Sequence, residues 1–417
     1  MLALPGGELF EILTRSLNRV NDLLVGHGER VAYGVMALLD QDGRFSQQDI
    51  CQIIWTVLFH DIGSFRRTDT WSLELMENDP RDTHALYGFV FLKTFFPFSH
   101  YTPIVRYHHA SESVVEQAPF CGQIKQAVKY LRCVDATDLH RVKFPKCTKQ
   151  EILAFYRQQL EMFGLHAMPN AVLQAAVPDN TETCHEYVKA RLMQMPLSDL
   201  ECQALLRTLV CAMDFRSHYT ALHCTIMVHA SDMLAEYCGL DQHDRYNVHI
   251  GAILHDLGKI AIPVLILEAP GKLDGRLWEI MKSHVMLTED ILKGYVSDEI
   301  LQIAVRHHER LDGSGYPRGL GADDLTLPQR IVAVGDIVSA LSEQRSYKPS
   351  FPLEEVMQIL RDMGQAGKLC PYVLGVLEKN QQKIYQSILQ EGLHTAGAFE
   401  QVYEEYYRLL DLGQTGS

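Results

Sequence analysis

The sequence predicts an all-α protein made of two tandem helical domains, and three observations lead to that fold class. Apolar residues recur at three- and four-residue spacings along most of the 417-residue chain, which is the period of an amphipathic helix. We find no set of alternating apolar and polar runs joined by short hairpin turns, so a sheet is not expected. One ordered series of histidines and aspartates occurs in both halves of the chain, which indicates two copies of one fold.

The helical period is clearest in three segments. They are "HGERVAYGVMALLDQ" at 27–41, "SDLECQALLRTLVCAM" at 198–213 and "PLEEVMQILRDM" at 352–363. Each segment gathers its apolar residues on one side of a helix, so each is expected to pack that side against a core.

A break in the helical pattern separates the two halves. Residues 166–187 contain two prolines and a cluster of polar residues, a composition that is typical of a domain boundary. We therefore expect a helical domain at 1–165, a linker or connecting helix at 166–200 and a second helical domain at 201–417.

The repeated series has seven side chains in each half, in the order His, His-Asp, His, His-His and Asp. Local context supports the pairing, because "LHDLGKI" corresponds to "FHDIGSF" and "VRHHER" corresponds to "VRYHHAS". The C-terminal series is His223, His255, Asp256, His284, His307, His308 and Asp336. The N-terminal series is His27, His60, Asp61, His84, His108, His109 and Asp135. A lone histidine on a helix is more often a packed residue than a ligand, so the order of the whole set is what indicates a site.

These residue types are the ligands that divalent iron, manganese and zinc accept. One carboxylate can bridge two ions, and five imidazoles with a second acid would complete two coordination spheres. Two ions roughly 3.5–4 Å apart lower the pKa of a water that bridges them and hold a phosphoryl group in line with the resulting hydroxide. The series therefore predicts a phosphodiester hydrolysis site without a nucleophilic side chain.

Charge and cysteine content restrict the partners and the compartment. The net charge of −14 argues against bulk nucleic acid or an anionic membrane as partner, because both would be repelled at long range. No apolar stretch is long enough to span a bilayer, and the first residues lack the pattern of a signal peptide. The ten cysteines occur singly, without a CxxC pair, so we expect a reducing, cytoplasmic location.

Two motifs carry a family resemblance. "HDLGK" at 255–259 and "HHERLDGSGYP" at 307–317 resemble the two signatures of the HD-GYP family of bacterial cyclic-dinucleotide phosphodiesterases, and the resemblance extends over about 205–400. It implies two tandem HD-type domains, the second an HD-GYP domain. It also implies hydrolysis of a 3′–5′ cyclic dinucleotide to a linear dinucleotide, with two divalent transition metals, usually iron or manganese.

The resemblance implies a role for each matching residue. One metal would be held by His223, His255, Asp256 and Asp336. The other would be held by Asp256, as the bridging ligand, with His284, His307 and His308. The catalytic residues would be Asp256 and Lys259, and the substrate contacts would be Lys259, Tyr316, Arg345 and Lys348.

The loop after the paired histidines should form a wall of the substrate pocket. Gly313 and Gly315 would allow backbone conformations that a Cβ forbids, and Pro317 would stiffen the end of the loop. Glu309 would accept a proton from a liganding ring and so fix its tautomer.

Three positions depart from the family pattern. Tyr219 replaces a carboxylate that holds a third metal in some members, so two metals are expected. Ser339 stands where an acid commonly follows the last aspartate by three residues, and Ile226 replaces an arginine in the helix after the first histidine. None of these changes removes a ligand.

The N-terminal half resembles the wider HD superfamily. It keeps the seven-residue series, but Ser64 stands at the position of Lys259 and no GYP loop follows the paired histidines. A second metal site is compatible with these residues, whereas recognition of a cyclic dinucleotide is not expected. The alternatives are a scaffold that docks on the catalytic half or supports a homodimer, and a nucleotidase that acts on the linear product.

The resulting prediction is a dinuclear-metal phosphodiesterase for cyclic di-GMP, 3′,3′-cyclic GMP-AMP or both, in which Lys259 offsets the charge that develops on the phosphate. A non-catalytic cyclic-dinucleotide sensor and a metal-dependent phosphohydrolase for ordinary nucleotides are the alternatives. The complete ligand set and Lys259 favour the enzyme, because a sensor has no need of a complete hydrolytic centre.

Overall fold

The structure is a computed structural model that describes residues 4–20, 25–66, 83–165, 169–178, 180–214, 221–269, 271, 273–342 and 351–414. Within these ranges the chain forms α-helices and short 3-10 turns and no β-strand, which confirms the predicted all-α fold class. The extended pairing that occurs there is an isolated bridge between Asp312 and Gly321.

Ten helices precede residue 195 in the described part of the chain. Helices α1 to α10 are Gly6–Leu17, His27–Gln41, Gln47–Leu58, Thr83–Phe95, Pro103–Tyr107, Glu112–Gln117, Gly122–Lys143, Lys149–Met162, Asn170–Ala176 and Thr181–Met193. The first predicted segment coincides with α2.

A further ten helices follow in the described residues after 195. Helices α11 to α20 are Asp199–Asp214, Ala221–Tyr237, Gln242–Leu254, Val264–Leu267, Gly275–Lys282, His284–Leu292, Asp298–Val305, Leu327–Ser342, Leu353–Gln365 and Pro371–Gln414. The other two predicted segments correspond to α11 and α19, with boundaries that differ by one or two residues.

The chain divides into two compact units. The N-terminal unit contains residues 5–205 and the end of α20 from Val402, and the C-terminal unit contains Leu206–Gln401 with Leu4. Helices α11 and α20 therefore contribute residues to both units. Among the described helices, none has the combination of length and apolar composition that crossing a membrane requires.

The N-terminal unit is built around α2, which contacts α3, α7, α9 and α10. Its buried side includes Val31, Val35 and Leu38, which follow the three- and four-residue spacing that predicts an amphipathic helix. Helix α3 begins with a capping box in which the Ser46 side chain accepts from the Asp49 backbone while the Asp49 side chain accepts in return, so its start is fixed locally.

Helix α10 lies within the stretch that was expected to connect the domains, and it packs on α1 and α2 inside the N-terminal unit. Glu11 of α1 is buried and lies 3.0 Å from Nε2 of His185 and 2.6 Å from Nζ of Lys189. Burial alone would raise the pKa of Glu11, but the hydrogen bonds from Lys189 and His185 lower it below its ordinary value. Glu29 and Glu11 in turn raise the pKa of His185, so this contact joins oppositely charged groups.

The C-terminal unit is organised around α12, which packs on α13 and α18, while α13 also packs on α17. The buried residues of α18 include Ile331, Val334 and Val338. Helices α12 and α18 carry His223 and Asp336, and residues of the repeated series directly follow α13 or closely follow α17. The core of the unit therefore positions its candidate site.

A close crossing follows the His-Asp pair in each unit. A Cβ on Gly258 would lie 2.0 Å from the carbonyl oxygen of His284, and a Cβ on Gly63 would lie 2.0 Å from the carbonyl oxygen of His84. No side chain fits at that distance, so glycine is required for the turn after the pair to contact the helix that carries the next histidine.

Candidate metal centres

The seven predicted residues of the C-terminal unit meet at the ends and middles of five elements. His223 lies in α12 and Asp336 in α18, whereas the other five occur where a helix begins or ends. His255 and Asp256 follow α13, His284 begins α16, and His307 and His308 follow α17. All are buried except His308, which is partly exposed.

Asp256 occupies the centre of this C-terminal cluster. Its Oδ2 lies 3.0 Å from Nε2 of His255 and its Oδ1 lies 3.2 Å from Nε2 of His284. Asp336 reaches the other side, with Oδ1 at 3.3 Å from Nε2 of His223 and Oδ2 at 3.5 Å from Nδ1 of His308.

The ligand atoms fall into two groups. Within each group the candidate atoms lie within 4.8 Å of one another, and the groups are His223, His255 and Asp256, and His284, His307 and His308. One cation can therefore be reached by three side chains at each position, with Asp256 near both.

The backbone fixes the orientation of the imidazoles. Nδ1 of His255 is 2.7 Å from the carbonyl oxygen of Ala252, and Nδ1 of His307 is 2.7 Å from that of Ala304. His284 makes the same contact with Met281 at 2.6 Å. A carbonyl oxygen only accepts, so Nδ1 carries the proton and the Nε2 lone pair is directed into the cluster.

The residues fit metal ions because several buried polar atoms of the cluster lack a hydrogen-bond partner. They are Nε2 of His255, His284 and His307 and Oδ1 of Asp256. Leaving such atoms unsatisfied is costly in a protein interior. Imidazole nitrogen and carboxylate oxygen are ligands of divalent transition metals, so cations at this position would satisfy all four atoms.

The protonation states also suit cation binding. Burial alone would raise the pKa of Asp256, but the charges of His255 and Lys259 hold it well below its usual range. Burial lowers the pKa of His307 well below its ordinary value and that of His308 to about 3. Asp256 is therefore ionised and His307 and His308 are neutral at neutral pH, the forms that bind a cation. Burial alone would lower the pKa of His255, but the charge of Asp256 raises it above its ordinary value.

Lys259 lies on the 3-10 turn that follows the His-Asp pair. Its Nζ is 2.5 Å from Oδ2 of Asp256, and its side chain is partly exposed. The ammonium group is thus at the edge of the cluster, where it can face a ligand that enters from solvent.

The loop after the paired histidines turns back onto the cluster. Gly313 has a φ of +76°, and a Cβ on Gly315 would lie 2.4 Å from the backbone nitrogen of Arg310, so both glycines are needed, as predicted. The ring of Tyr316 lies on that of His308, with centroids 4.6 Å apart.

The predicted role of Glu309 was wrong. Its carboxylate accepts from the backbone nitrogens of Arg318 and Leu320, at 2.8 and 2.9 Å. Glu309 therefore fixes the path of the loop, because its two carboxylate oxygens accept hydrogen bonds from the loop backbone.

The sequence prediction missed an aromatic neighbour of the loop. Trp278, on the surface helix α15, lies edge-on to Tyr316 with ring centroids 6.0 Å apart and remains 42% exposed. Lys282 of the same helix places Nζ 5.9 Å from the centre of the Tyr316 ring. The short distance in sequence to His284 was a signal for both residues. The other predicted substrate contacts, Arg345 and Lys348, lie outside the described residues, as does Tyr219.

The N-terminal unit repeats the cluster. Its two groups of ligand atoms are His27, His60 and Asp135, and His84, His108 and His109. Asp61 lies nearby, with Oδ2 at 3.4 Å from Nε2 of His60. Nδ1 of His60 and of His108 contact the carbonyl oxygens of Val57 and Val105 at 2.7 and 2.6 Å. Nε2 of His108 and Oδ2 of Asp135 are buried without a hydrogen-bond partner, so these residues also fit a cation.

The two clusters differ behind their first histidine. Nδ1 of His27 is 2.8 Å from Oδ2 of Asp138, which also accepts from Arg30. In the C-terminal unit Nδ1 of His223 is 2.8 Å from the hydroxyl of Ser339. The sequence prediction missed Asp138 and Arg30. Asp138 follows Asp135 by three residues, as Ser339 follows Asp336. Arg30 likewise follows His27 by three residues, as Ile226 follows His223.

The surroundings of the N-terminal cluster lack the lysine of the other unit. Ser64 occupies that position, and its hydroxyl donates to the carbonyl oxygen of Asp61. A pocket beside His27 and His60 has a largely apolar wall that includes Leu17, Leu58 and Phe59. The two units therefore present different surfaces to a ligand.

Comparison with known proteins gives matches over both halves. The HD domain family model matches residues 204–371. The chain is 26% identical over 408 residues to 3′3′-cGAMP-specific phosphodiesterase 1 of Vibrio cholerae serotype O1, covering 92% of this chain and 94% of that relative. It is 38% identical over 162 residues to the cyclic di-GMP phosphodiesterase response regulator RpfG of Xanthomonas campestris pv. campestris, covering 38% of this chain and 42% of that relative.

A solved structure has a similar fold. The crystal structure of a cyclic GMP-AMP specific phosphodiesterase of V. cholerae, V-cGAP3, matches with a TM-score of 0.53 and 18% sequence identity over 91% of this chain and 98% of that chain. At this identity the match concerns the fold.

Proposed function

We propose that this chain, whose residues 204–371 belong to the HD domain family, is a phosphodiesterase that hydrolyses a 3′–5′ cyclic dinucleotide to a linear dinucleotide. The observation that carries the proposal is the buried C-terminal cluster, whose unsatisfied imidazole and carboxylate atoms converge beside Lys259. The names of the relatives support the substrate class.

The proposed ligands follow the two groups of side chains. One metal position is assigned to His223, His255, Asp256 and Asp336, and the other to Asp256, His284, His307 and His308. Two divalent cations, iron or manganese, would supply Lewis-acid stabilisation of phosphoryl oxygens and a water of lowered pKa. The two oxygens of Asp256 face different histidines, which supports Asp256 as the ligand shared by both positions.

The other side chains bind and orient the substrate. The ammonium group of Lys259 faces the position of the scissile phosphate and stabilises the negative charge that develops there. The ring of Tyr316 packs against that of His308 at a tilt of 34°, so it borders the base next to that phosphate. Trp278 extends the aromatic surface by one ring and is exposed enough to stack on that base.

The relative that spans both units is specific for 3′3′-cGAMP, so cyclic GMP-AMP is the first substrate to test and cyclic di-GMP the second. All ten cysteines are free thiols, which supports a reducing, cytoplasmic compartment.

Product chromatography of both cyclic dinucleotides, with protein of measured metal content, tests the proposal. We expect a linear dinucleotide from the wild type and none from His255→Ala or Asp256→Ala. Tight binding of a cyclic dinucleotide without any turnover by metal-loaded protein would identify a sensor instead.

The N-terminal unit supports a second candidate function, a metal-dependent phosphohydrolase that removes the terminal phosphate of the linear product. The favouring observation is its own cluster of buried, unsatisfied ligand atoms. Ser64 replaces the lysine of the C-terminal unit, and the pocket wall near His27 is apolar. Both features favour a substrate other than the cyclic dinucleotide for the N-terminal unit. Release of inorganic phosphate from a linear dinucleotide is the measurement that tests this activity.

A further inference from the structure

We propose that the position formed by His27, His60 and Asp135 binds a metal ion and retains it more tightly than the C-terminal cluster retains its metals. The reason is a buried carboxylate–guanidinium pair behind His27, where the C-terminal unit has a neutral hydroxyl. The proposal goes beyond the phosphodiesterase activity, and it rests only on the N-terminal cluster as a metal site.

The pair behind His27 is buried and well oriented. Oδ2 of Asp138 lies 2.8 Å from Nδ1 of His27, and Arg30 donates to both oxygens of Asp138 at 2.6 and 2.8 Å. The three residues are between 3% and 8% exposed. Arg30 is itself held by the hydroxyl of Thr181, at 2.9 Å, so the carboxylate cannot turn away from the imidazole without breaking several bonds.

The equivalent ring in the C-terminal unit is held differently. The hydroxyl of Ser339 accepts from Nδ1 of His223 at 2.8 Å and donates to the carbonyl oxygen of the same residue at 3.0 Å. Ile226 stands where Arg30 stands in the other unit. The serine therefore orients the ring, but no negative charge lies behind it.

The remaining supports of the first metal position match between the units. Nδ1 of His60 and Nδ1 of His255 each contact a backbone carbonyl oxygen at 2.7 Å. Among the outer partners of the two histidines at this position, the units therefore differ at the first histidine. A carboxylate behind an imidazole strengthens the ring as a metal ligand, and loss of such an outer partner typically lowers metal affinity by about 10- to 100-fold.

The proposal does not extend to the second N-terminal position. Nη1 of Arg132 lies 3.3 Å from Nδ1 of His109, and a guanidinium group beside that ring opposes a second cation. We therefore expect one tightly held ion in the N-terminal unit.

Variants that keep one cluster each test the proposal. His255→Ala leaves the N-terminal cluster intact and His60→Ala leaves the C-terminal one. Both are loaded with Mn²⁺, and the metal bound per chain is measured during competition with a chelator. We expect a dissociation constant about 10- to 100-fold lower for His255→Ala than for His60→Ala. Equal or weaker binding by His255→Ala, or no metal bound to it, would overturn the proposal.

A second substitution in the His255→Ala background assigns the cause. Asp138→Asn keeps an oxygen that accepts from His27 but removes the charge, so the advantage should disappear. The matched control is Asp232→Asn, which alters a 2.8 Å contact with His249 in the other unit and should leave retention unchanged. Thermal unfolding of the metal-free proteins checks that each variant folds. If Asp138→Asn does not fold, the comparison of His255→Ala with His60→Ala still tests the proposal. Ring opening by the wild type is assayed separately, so its failure would end the proposed function without affecting this result.

Discussion

The ammonium nitrogen of Lys259 lies 2.5 Å from Oδ2 of Asp256, the carboxylate at the centre of the C-terminal cluster. The ammonium group of Lys259 can neutralise charge on a phosphate that binds beside the carboxylate. A protonated amine has no lone pair, so it cannot bind a metal ion itself. Within one short turn, the proposed metal ligand Asp256 and the proposed charge stabiliser Lys259 are therefore different side chains.

Lys259→Ala tests that separation. We expect kcat for ring opening to fall by about 10²–10³-fold, the usual effect of removing one electrostatic stabiliser of a transition state. Metal content, measured by elemental analysis, should stay close to that of the wild type. Loss of metal from Lys259→Ala would show that the lysine acts through the cluster and would contradict its assigned role.

Trp278→Ala should weaken substrate binding rather than chemistry. Stacking of one base on an aromatic ring is worth about 1–3 kcal/mol, so KM should rise by roughly 5- to 150-fold while kcat changes little. Trp278→Phe, which keeps a smaller aromatic face, is the matched control and should show an intermediate KM. An unchanged KM in Trp278→Ala would remove this residue from the binding site.

Removing the metals should abolish ring opening and lower the unfolding temperature. Bound ions stabilise the native state by mass action, by about 2.7 kcal/mol at a concentration 100 times the dissociation constant. Differential scanning fluorimetry with and without a chelator measures the shift, and added Mn²⁺ or Fe²⁺ should restore both stability and activity. Full activity of metal-free protein would exclude the proposed mechanism.

His60→Ala separates the two candidate activities. Because His60 belongs to the N-terminal cluster, its loss should eliminate release of inorganic phosphate from the linear dinucleotide while ring opening persists. A coupled phosphate assay and chromatography of the same reaction report both steps. Phosphate release that survives in His60→Ala would assign this second activity elsewhere.

The contact between His185 and Glu11 should make stability depend on pH. The pKa of His185 is raised from 6.5, so its contribution is present below 6.5 and is lost as pH rises through the folded value. The pKa of Glu11 is lowered from 4.5, so its contribution is present above 4.5 and is lost as pH falls through the folded value. His185→Gln should therefore destabilise the protein most near pH 5.5, by about 0.5–1 kcal/mol for a partly exposed pair, and much less near pH 9. A deficit of equal size at both pH values, measured by thermal unfolding, would contradict this.

The sequence predicted the fold class and the composition of the clusters because both depend on residue type and order. Helical spacing identified α2 to the residue, and the repeated histidine series identified side chains that the fold then brings together. The type of metal ligand depends on the side chain itself, so it can be identified from the sequence without knowing the path of the backbone.

Other features depend on contacts between distant positions and were missed or misjudged. The sequence predicts that Glu309 accepts a proton from a liganding imidazole. In the structure its carboxylate accepts hydrogen bonds from the backbone nitrogens of Arg318 and Leu320 instead. The closeness of Trp278 to His284 in sequence indicates a position near the cluster. It does not predict the edge-on contact with Tyr316, on which the proposed role of Trp278 depends.

The glycine that follows each His-Asp pair has a consequence for reading sequence variation. Gly63 lies close to the carbonyl oxygen of His84, and Gly258 lies equally close to that of His284. Replacement of either glycine should therefore be poorly tolerated, whether or not its unit turns over a substrate. In a saturation mutagenesis screen, intolerance at these two sites would report architecture alone. The adjacent sites, Ser64 and Lys259, are where tolerance should diverge and reveal which unit is under selection for catalysis.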